Sequence, residues 1–597
     1  MAYRIEKNIL TGNPEMVIDG FEQGIADSPY EGIADMRNVD IVTAPKQASV
    51  MFGTTGVTLP PTGYTAVAFS VDAGTDVVTT ASTSGFYTGM AVTIVTISGA
   101  DSFIADRTYY VGDITATTFK LYVTPRLLTV FNTTTSRTGT FTVHTFGTPV
   151  DSVSTPLSAL GTSFGSTVKA SLILCSNGFV WSLSSGFTGV PVNTLQFLGN
   201  IGHSTVSGTN TRGIAIWKGY IFIFCDENID YVLAQVLSSS SQNPSALWVY
   251  GWQTTLDESA YGHRALAATD SALYFCNDDS VGSLLENAGE SFDPTDSTTY
   301  TFNIDALALP PEDTATCLAQ LGVNLLVGGI NNFVYPWDRV STSFSYPLVI
   351  AESFISCIVS TNSTAYIFAG QRGRIYMTNG SNVDLFKKFP DSLSNIVEPY
   401  YSWDWAIYYK NQLYFSIFAT NNSSVSIDNF AGVWAIDLNT DALRLSNSLS
   451  FGTYTGRVRT LLPMGQGFPT GDGIYSAWVS GATTGIDYTS ATPYTNYESR
   501  IDSDIIPVGG FLTKNTFSNI EFKLAKPLVS GEKVKLSQRS NLTDSFVQIG
   551  ETTTAGLLSD SYTMNFENVQ WLQIRAETSS TASTPSYVPL MEIRFRQ

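Results

Sequence analysis

Gly213-Ile-Ala-Ile-Trp-Lys-Gly-Tyr-Ile-Phe-Ile-Phe224 is an apolar run of strand length, a polar pair, and a second run rich in aromatics. A two-residue turn between two such runs predicts a β-hairpin, because the short link brings the strands back side by side and antiparallel. The pattern returns as SLILCSNGFVW at 171–181, ALAATDSALYF at 265–275, CLAQLGVNLLV at 317–327, CIVSTNSTAYIF at 357–368 and WAIYYKNQLYF at 405–415. Aligned on Asn177, Lys218, Asp270, Leu321, Asn362 and Lys410, the units recur every 40 to 52 residues or so, the spacing of propeller blades. Each hairpin leaves an apolar face that only its neighbours can cover, so the units are expected to close into a ring. Trailing strands stand at Ile229-Asp-Tyr-Val-Leu233, Arg374-Ile-Tyr-Met377 and Gly432-Val-Trp-Ala-Ile-Asp437. The reading is an all-β chain with a β-propeller of six or seven blades over 147–485, in which 48–53 and 146–155 complete one blade by strand return.

Outside the repeat the sequence changes character twice. Residues 56–146 are rich in Thr, Val, Ser and Gly and hold no Trp or Cys. Met90-Ala-Val-Thr-Ile-Val-Thr-Ile97, Thr108-Tyr-Tyr-Val-Gly-Asp-Ile114 and Thr118-Phe-Lys-Leu-Tyr-Val123 are read as placing apolar residues at every second position, the period of a sheet buried on one face. This predicts a small all-β module inserted between Ala48-Ser-Val-Met-Phe-Gly53 and Phe146-Gly147. Residues 486–597 follow a turn-rich connector, Thr489-Ser-Ala-Thr-Pro-Tyr-Thr-Asn-Tyr497. Alternating runs at 498–505, 519–524, 532–538, 545–549, 571–575 and 590–596 then predict a C-terminal β-sandwich. Residues 1–55 carry a local duplication, Gly24-Ile-Ala-Asp27 and Gly32-Ile-Ala-Asp35, and read as an extended arm leading to the first propeller strand. The arm, having no core of its own, is expected to order on a neighbouring protein.

Composition narrows function. Of 597 residues only 14% are charged, and 31 Lys and Arg against 51 Asp and Glu leave a net charge of −20. Such a surface repels a phosphate backbone and excludes generic DNA binding. Hydrophobic residues at 43% exclude a disordered polymer. The cysteines, Cys175, Cys225, Cys276, Cys317 and Cys357, are odd in number and follow the repeat, so they are expected to be reduced core thiols. The N-terminal MAYRIEKNILTG lacks the basic and apolar stretches of a secretory signal, and no apolar run is long enough to span a bilayer, so assembly in a cytoplasm is expected.

No nucleophile elbow, phosphate-binding loop, zinc motif or C-x-x-C is present. His144, His203 and His263 stand alone in β or turn contexts. The acid groups Asp226-Glu227, Asp257-Glu258, Asp278-Asp279, Glu312-Asp313 and Asp502 with Asp504 are candidates for glycoside chemistry, but adjacent acids on a strand point to opposite faces and read as solvated turns. The loops at 226–230 and 277–279 lack the spaced acid pattern of a calcium loop. Trp248, Tyr250, Trp252, Trp403 and Trp405 suit sugar stacking and equally suit packing between blades. No catalytic, cofactor-binding or metal residue is assigned.

Two resemblances follow from these residues. The segment Ala105 to Leu121, with Thr108-Tyr-Tyr-Val111 and Thr118-Phe-Lys-Leu121, resembles a short β module inserted in many phage tail and fibre proteins. The passage from Met36 to Gly53 into a propeller without catalytic residues, followed by a sandwich ending in Glu592-Ile-Arg-Phe-Arg596, resembles the tail nozzle or tail hub proteins of short-tailed bacteriophages, also called tubular tail protein B or propeller-type stabilisation proteins. That resemblance implies a structural virion protein without cofactors, assembled in the host cytoplasm. It implies a homohexamer below the portal adaptor, with fibres or spikes docked outside and genomic DNA passing through the lumen without specific binding. A like-charged wall would let the duplex slide. The alternatives are a tail spike with carbohydrate-hydrolase activity, which needs a cleft with paired carboxylates, and a trimeric receptor-binding fibre.

Overall fold

The computed structural model describes residues 3–7, 14–18, 33–37, 39–40, 49–50, 52–98, 107–123, 127, 129–147, 149–156, 170–176, 179–183, 194–200, 213–225, 227–233, 247–257, 259–389, 400–420, 432–447, 449, 456–464, 473–493, 499–503, 506–507, 519–540, 544–564, 571–581, 588 and 590–596. Among them the chain is all-β, with several small antiparallel sheets and one closed six-stranded barrel. No helix among the described residues is long and apolar enough to cross a membrane.

Among the described residues, seven consecutive groups of four antiparallel strands follow one another along the middle of the chain. In order they occupy 149–200, 214–253, 265–308, 315–349, 355–388, 400–447 and 457–493, the last completed by Phe52–Gly56 from the other end of the chain. We number these units one to seven. Local sequence explains the hairpins: at Lys218-Gly219 and Lys410-Asn411 both turn residues have positive φ, the geometry whose twist matches that of paired strands. The first strand of each unit lies beside the first strand of the next, and that of unit seven lies beside that of unit one. Cores form between neighbours: Phe224 and Phe275 join units two and three, Tyr274 and Trp337 join three and four, and Trp478 with Ala435 joins seven and six.

The barrel lies in the connection between Phe52–Gly56 and the first strand of unit one, Pro149–Pro156. Its strands run in the order Thr108–Gly112, Thr118–Tyr122, Val77–Thr80, Val67–Asp72, Arg137–Val143, Ala91–Ile97 and back to the first. Alternation sorts the tyrosine pair. Tyr109 enters the barrel core with Phe119, Leu121 and Phe141, while Tyr110 joins Trp181 and Phe197 of unit one and Tyr475 of unit seven. Tyr87 and Tyr110 donate their hydroxyls to the Leu195 and Phe197 carbonyls at 2.8 and 3.3 Å, fastening the barrel to unit one.

Both chain ends enter the terminal sheets. One sheet has the order Tyr3–Lys7, Pro14–Ile18, Leu590–Arg596, Asn519–Leu524, Ser559–Thr563. A second continues from the outer strand of unit six, Ala442–Asn447, through Ile33–Arg37, Ser499–Ser503, Trp571–Ser580 and Glu532–Arg539 to Val547–Thr552. Residues of both sheets, among them Met16, Met36, Ile501, Phe522, Val534 and Phe595, share one apolar cluster with units five and six.

Two expectations need correction. The described strands of the arm pair within the chain, Met16 with Phe595 and Met36 with Ile501, because the edges of Leu590–Arg596 and Ser499–Ser503 accept them. The hairpin at 171–181 supplies the second and third strands of its unit, and the segment read at 146–155 supplies the first, Pro149–Pro156. That strand reads PVDSVSTP and lacks the apolar signature of the other units. The strand that returns to complete a unit is Phe52–Gly56, whereas Ser49–Val50 pairs with Val39–Asp40.

Candidate functional site

The first strands of units four to seven each carry one extra residue against their partner strand: Thr316, Ser356, Asp404 and Arg459. Such bulges bend a strand and re-aim a side chain that regular alternation would send elsewhere. Thr316 Oγ1 donates to the Ile355 carbonyl, tying unit four to unit five. Arg264, just before the first strand of unit three, donates to the Ser356 carbonyl at 3.0 Å and to the Asp404 carbonyl at 3.4 Å. One side chain of unit three thus reaches units five and six past unit four.

Asp404 is where three arginine side chains meet. Its carboxylate accepts two hydrogen bonds from Arg457 at 2.5 Å and lies 3.7 Å from Arg459 Nη1. The Asp404 side chain is 4% exposed and those of Arg457 and Arg459 are 28% and 24% exposed. Trp405 lies under the Arg264 guanidinium at 5.1 Å and Phe418 under that of Arg457 at 4.9 Å, cation–π contacts that hold the planar groups in place. Burial and the Arg457 charge pull Arg459 below the usual arginine pKa, and Asp404 offsets them in part. Removing one partner of a buried pair of this kind costs about 3–5 kcal/mol, because the other charge is left uncompensated.

Three thiols from units three to five, Cys276, Cys317 and Cys357, lie within the field of Arg264. All three are buried and free, and burial pushes each thiol up, with the Arg264 charge opposing. They remain protonated packing groups. Cys225 is likewise buried and free; the side chain of Cys175 lies outside the described residues.

A second repeated arrangement was not evident from the sequence. Asp313 is 2% exposed and its carboxylate accepts from Tyr335 Oη at 2.6 Å and from the Asn331 amide at 3.1 Å. One unit later the buried Glu352 accepts from Tyr376 Oη at 2.9 Å and from the Gln371 and Arg372 amides at 3.1 and 2.9 Å. In each unit an acid on the entering loop latches the third strand and the loop before it. Burial first, then the partner carboxylate, raises Tyr335; burial likewise raises Tyr376, where Arg374 opposes Glu352.

The acid groups singled out in the sequence come apart. Asp313 is buried while Glu312 is exposed. Asp502 is buried against Arg575, bidentate at 2.7 Å, and Asp504 lies outside the described residues, as do Asp226 and Glu258. Asp257 accepts from Asn277 Nδ2 at 2.8 Å. Asp278 turns with positive φ, and burial with Asp279 and Asp257 nearby raises its pKa. Among the described residues no group of three His, Cys, Asp or Glu is placed to hold a metal ion.

His144 packs in the seam between barrel and unit one, stacked on Phe197 at 4.3 Å and hydrogen-bonded to Thr93 Oγ1 at 2.7 Å. Burial lowers its pKa to about 4. His263 is buried with Nδ1 2.9 Å from the Cys276 carbonyl, and His203 lies outside the described residues.

The aromatics sit mostly between units. Trp248 Nε1 donates to the Leu198 carbonyl, Trp252 Nε1 to that of Pro294 and Trp403 Nε1 to that of Ala369, each in an adjoining unit or the loop of one. Tyr250 is exposed. The sequence reading missed Arg264, Asp404, Arg457 and Arg459. The available signal was a carboxylate between two tryptophans at 403–405 and an Arg-Val-Arg run at 457–459, in a chain poor in charge.

No protein-family model matches the chain, and no curated protein matches it. Among solved structures, the computationally designed Ika8 protein is 13% identical and aligns over 67% of this chain and 97% of its own, with a TM-score of 0.35. The Cps50 (Swd1) β-propeller domain of Myceliophteria thermophila is 14% identical over 54% of this chain and 94% of its own, with a TM-score of 0.36. Scores at that level carry no argument about this chain.

Proposed function

We propose that the chain is a structural protein of a short-tailed bacteriophage virion, forming as a homohexamer the distal tail tube through which DNA leaves. In this reading the seven units are the blades of a β-propeller closed by Phe52–Gly56, the barrel is an insertion on its rim, and the two terminal sheets form a sandwich. The circular order of contacts between first strands and the reach of Arg264 to units five and six support the propeller. The shared core of Met16, Ile501, Phe522 and Phe595 supports the sandwich.

The observation that carries the functional reading is the tying of both ends of the chain into one body. Strands before the barrel and strands after the seventh unit pair in both terminal sheets, and one of those sheets continues the outer strand of unit six. A body closed in this way holds its shape under axial force, the demand on a tube. The acids a hydrolase would use are engaged in holding strands together: Asp257 with Asn277, Asp313 with Tyr335 and Asp502 with Arg575.

Arg264 spans the centre of the propeller, so DNA would pass through the space enclosed by the six copies. Net charge −20 per chain suits a wall on which a duplex slides. The adaptor above and fibres outside are the remaining partners. Electron cryomicroscopy of the intact virion is the test: six copies at the distal tail with an acidic lumen are expected, and a trimeric placement or a lumen lined by Lys and Arg would refute the reading.

A further inference from the structure

We propose that Arg264, Arg457 and Arg459 form a binding site for a small tetrahedral oxyanion of the phosphate and sulfate class at the centre of the ring of units. The three side chains come from units three and seven and meet at one residue of unit six, Arg264 on the Asp404 carbonyl and the other two at its carboxylate. Two guanidinium groups share one carboxylate and a third lies on the main-chain carbonyl of the same residue, an excess of positive charge inside a chain whose net charge is −20.

Arg457 spends its fork on both oxygens of Asp404. The other two have donors to spare. The Nε atoms of Arg264 and Arg459 are buried and have no hydrogen-bond partner among the described residues, and Arg459 meets Asp404 only at the 3.7 Å of an ion pair. Arg457 and Arg459 are partly exposed and Asp404 is nearly buried, so solvent reaches these two arginines far more readily than the carboxylate.

Burial and the Arg457 charge lower Arg459 and Asp404 offsets them only in part, so a further counter-charge at that guanidinium would be favourable. A tetrahedral oxyanion supplies that charge and offers edges that match guanidinium forks, whereas chloride supplies charge without the directed acceptors. Trp405 and Phe418 already fix two of the forks, so little is lost in ordering them. The site depends on the geometry around Asp404 and not on the virion reading.

The test titrates the full-length protein with inorganic phosphate and with sulfate, against sodium chloride at matched ionic strength, by calorimetry and thermal unfolding. A saturable rise in unfolding temperature with both oxyanions, absent with chloride, is expected. Arg459→Gln should weaken phosphate binding at least tenfold, Arg459→Lys by less, and Lys218→Gln, remote from the centre, not at all. No saturable effect beyond chloride, or an unchanged dissociation constant in Arg459→Gln, would overturn the proposal. Competition in the unsubstituted protein keeps the test independent of how that variant folds: sulfate must raise the apparent phosphate dissociation constant, and failure to compete would equally overturn it. Acetate binding as tightly as phosphate would assign the centre to carboxylates instead and refute the oxyanion assignment.

Discussion

The barrel and the terminal sheets close their edges in opposite ways. All six barrel strands lie within 67–143, so every pairing, even that of Val71 with Arg137, closes inside one stretch of chain. The terminal sheets set Met16 beside Phe595 and Met36 beside Ile501, and unit seven takes its fourth strand from Phe52–Gly56. Local closure makes a module that can be inserted or removed as a piece. Closure across the whole chain makes every sheet it touches depend on both ends, at the cost of slow, non-local pairing during folding.

The largest expected effect follows from that dependence. Ile593→Asp places a charge at a position 2% exposed in the cluster shared by both terminal sheets and units five and six. A loss of about 4 kcal/mol or more is expected, with protease sensitivity spreading into residues 400–447. Denaturant unfolding with mapping of the cleavage sites measures both, and damage confined to 590–596 would remove the claim of coupling.

Tyr109→Ala, in the barrel core, is expected to cost about 3–5 kcal/mol but to stay within the barrel. Hydrogen exchange should show loss of protection in 67–143 with units three to five unchanged; spreading beyond unit one would contradict local closure.

His144 gives a pH-dependent version of the same separation. Its folded pKa, lowered by burial to about 4, lies below the unfolded value near 6.5. Between those values the unfolded chain binds the proton and the folded one does not, so stability is full above about pH 6.5 and falls as pH drops toward 4. The loss amounts to about 2–3 kcal/mol and should loosen the seam with Phe197. His144→Phe should flatten that part of the profile, measured by denaturant titrations from pH 7 to 4, and an unchanged slope would remove the assignment.

The smallest effect is that of Tyr110→Phe, which deletes the hydrogen bond to the Phe197 carbonyl. About 1 kcal/mol of docking should be lost without change in barrel protection.

What could be read in advance follows the same division. Thr118-Phe-Lys-Leu121 alternates strictly, so period alone marked a strand that the structure places in the barrel, whereas Thr108-Tyr-Tyr-Val111 is buried on both faces, Tyr109 in the barrel core and Tyr110 against unit one. Hairpins such as that at Lys218-Gly219 were legible because the turn chemistry is local. The reading set 146–155 and 48–53 in one blade, whereas Pro149–Pro156 joins unit one and Phe52–Gly56 joins unit seven; Ser, Thr and Asp in the former carry no apolar signature to say which sheet it enters. Pairing of Pro14–Ile18 with Leu590–Arg596 leaves no local trace at all. The Arg264 to Asp404 centre was hidden for a further reason: Asp404 and Arg459 are extra residues at bulges, and alternation fails at a bulge.

The oligomeric mass in solution, by native mass spectrometry of the full-length protein, tests the structural reading most directly. Six copies of the 64.7 kDa chain are expected. A stable trimer would point to a fibre or spike, and a monomer at micromolar concentration would contradict a ring-forming tube protein.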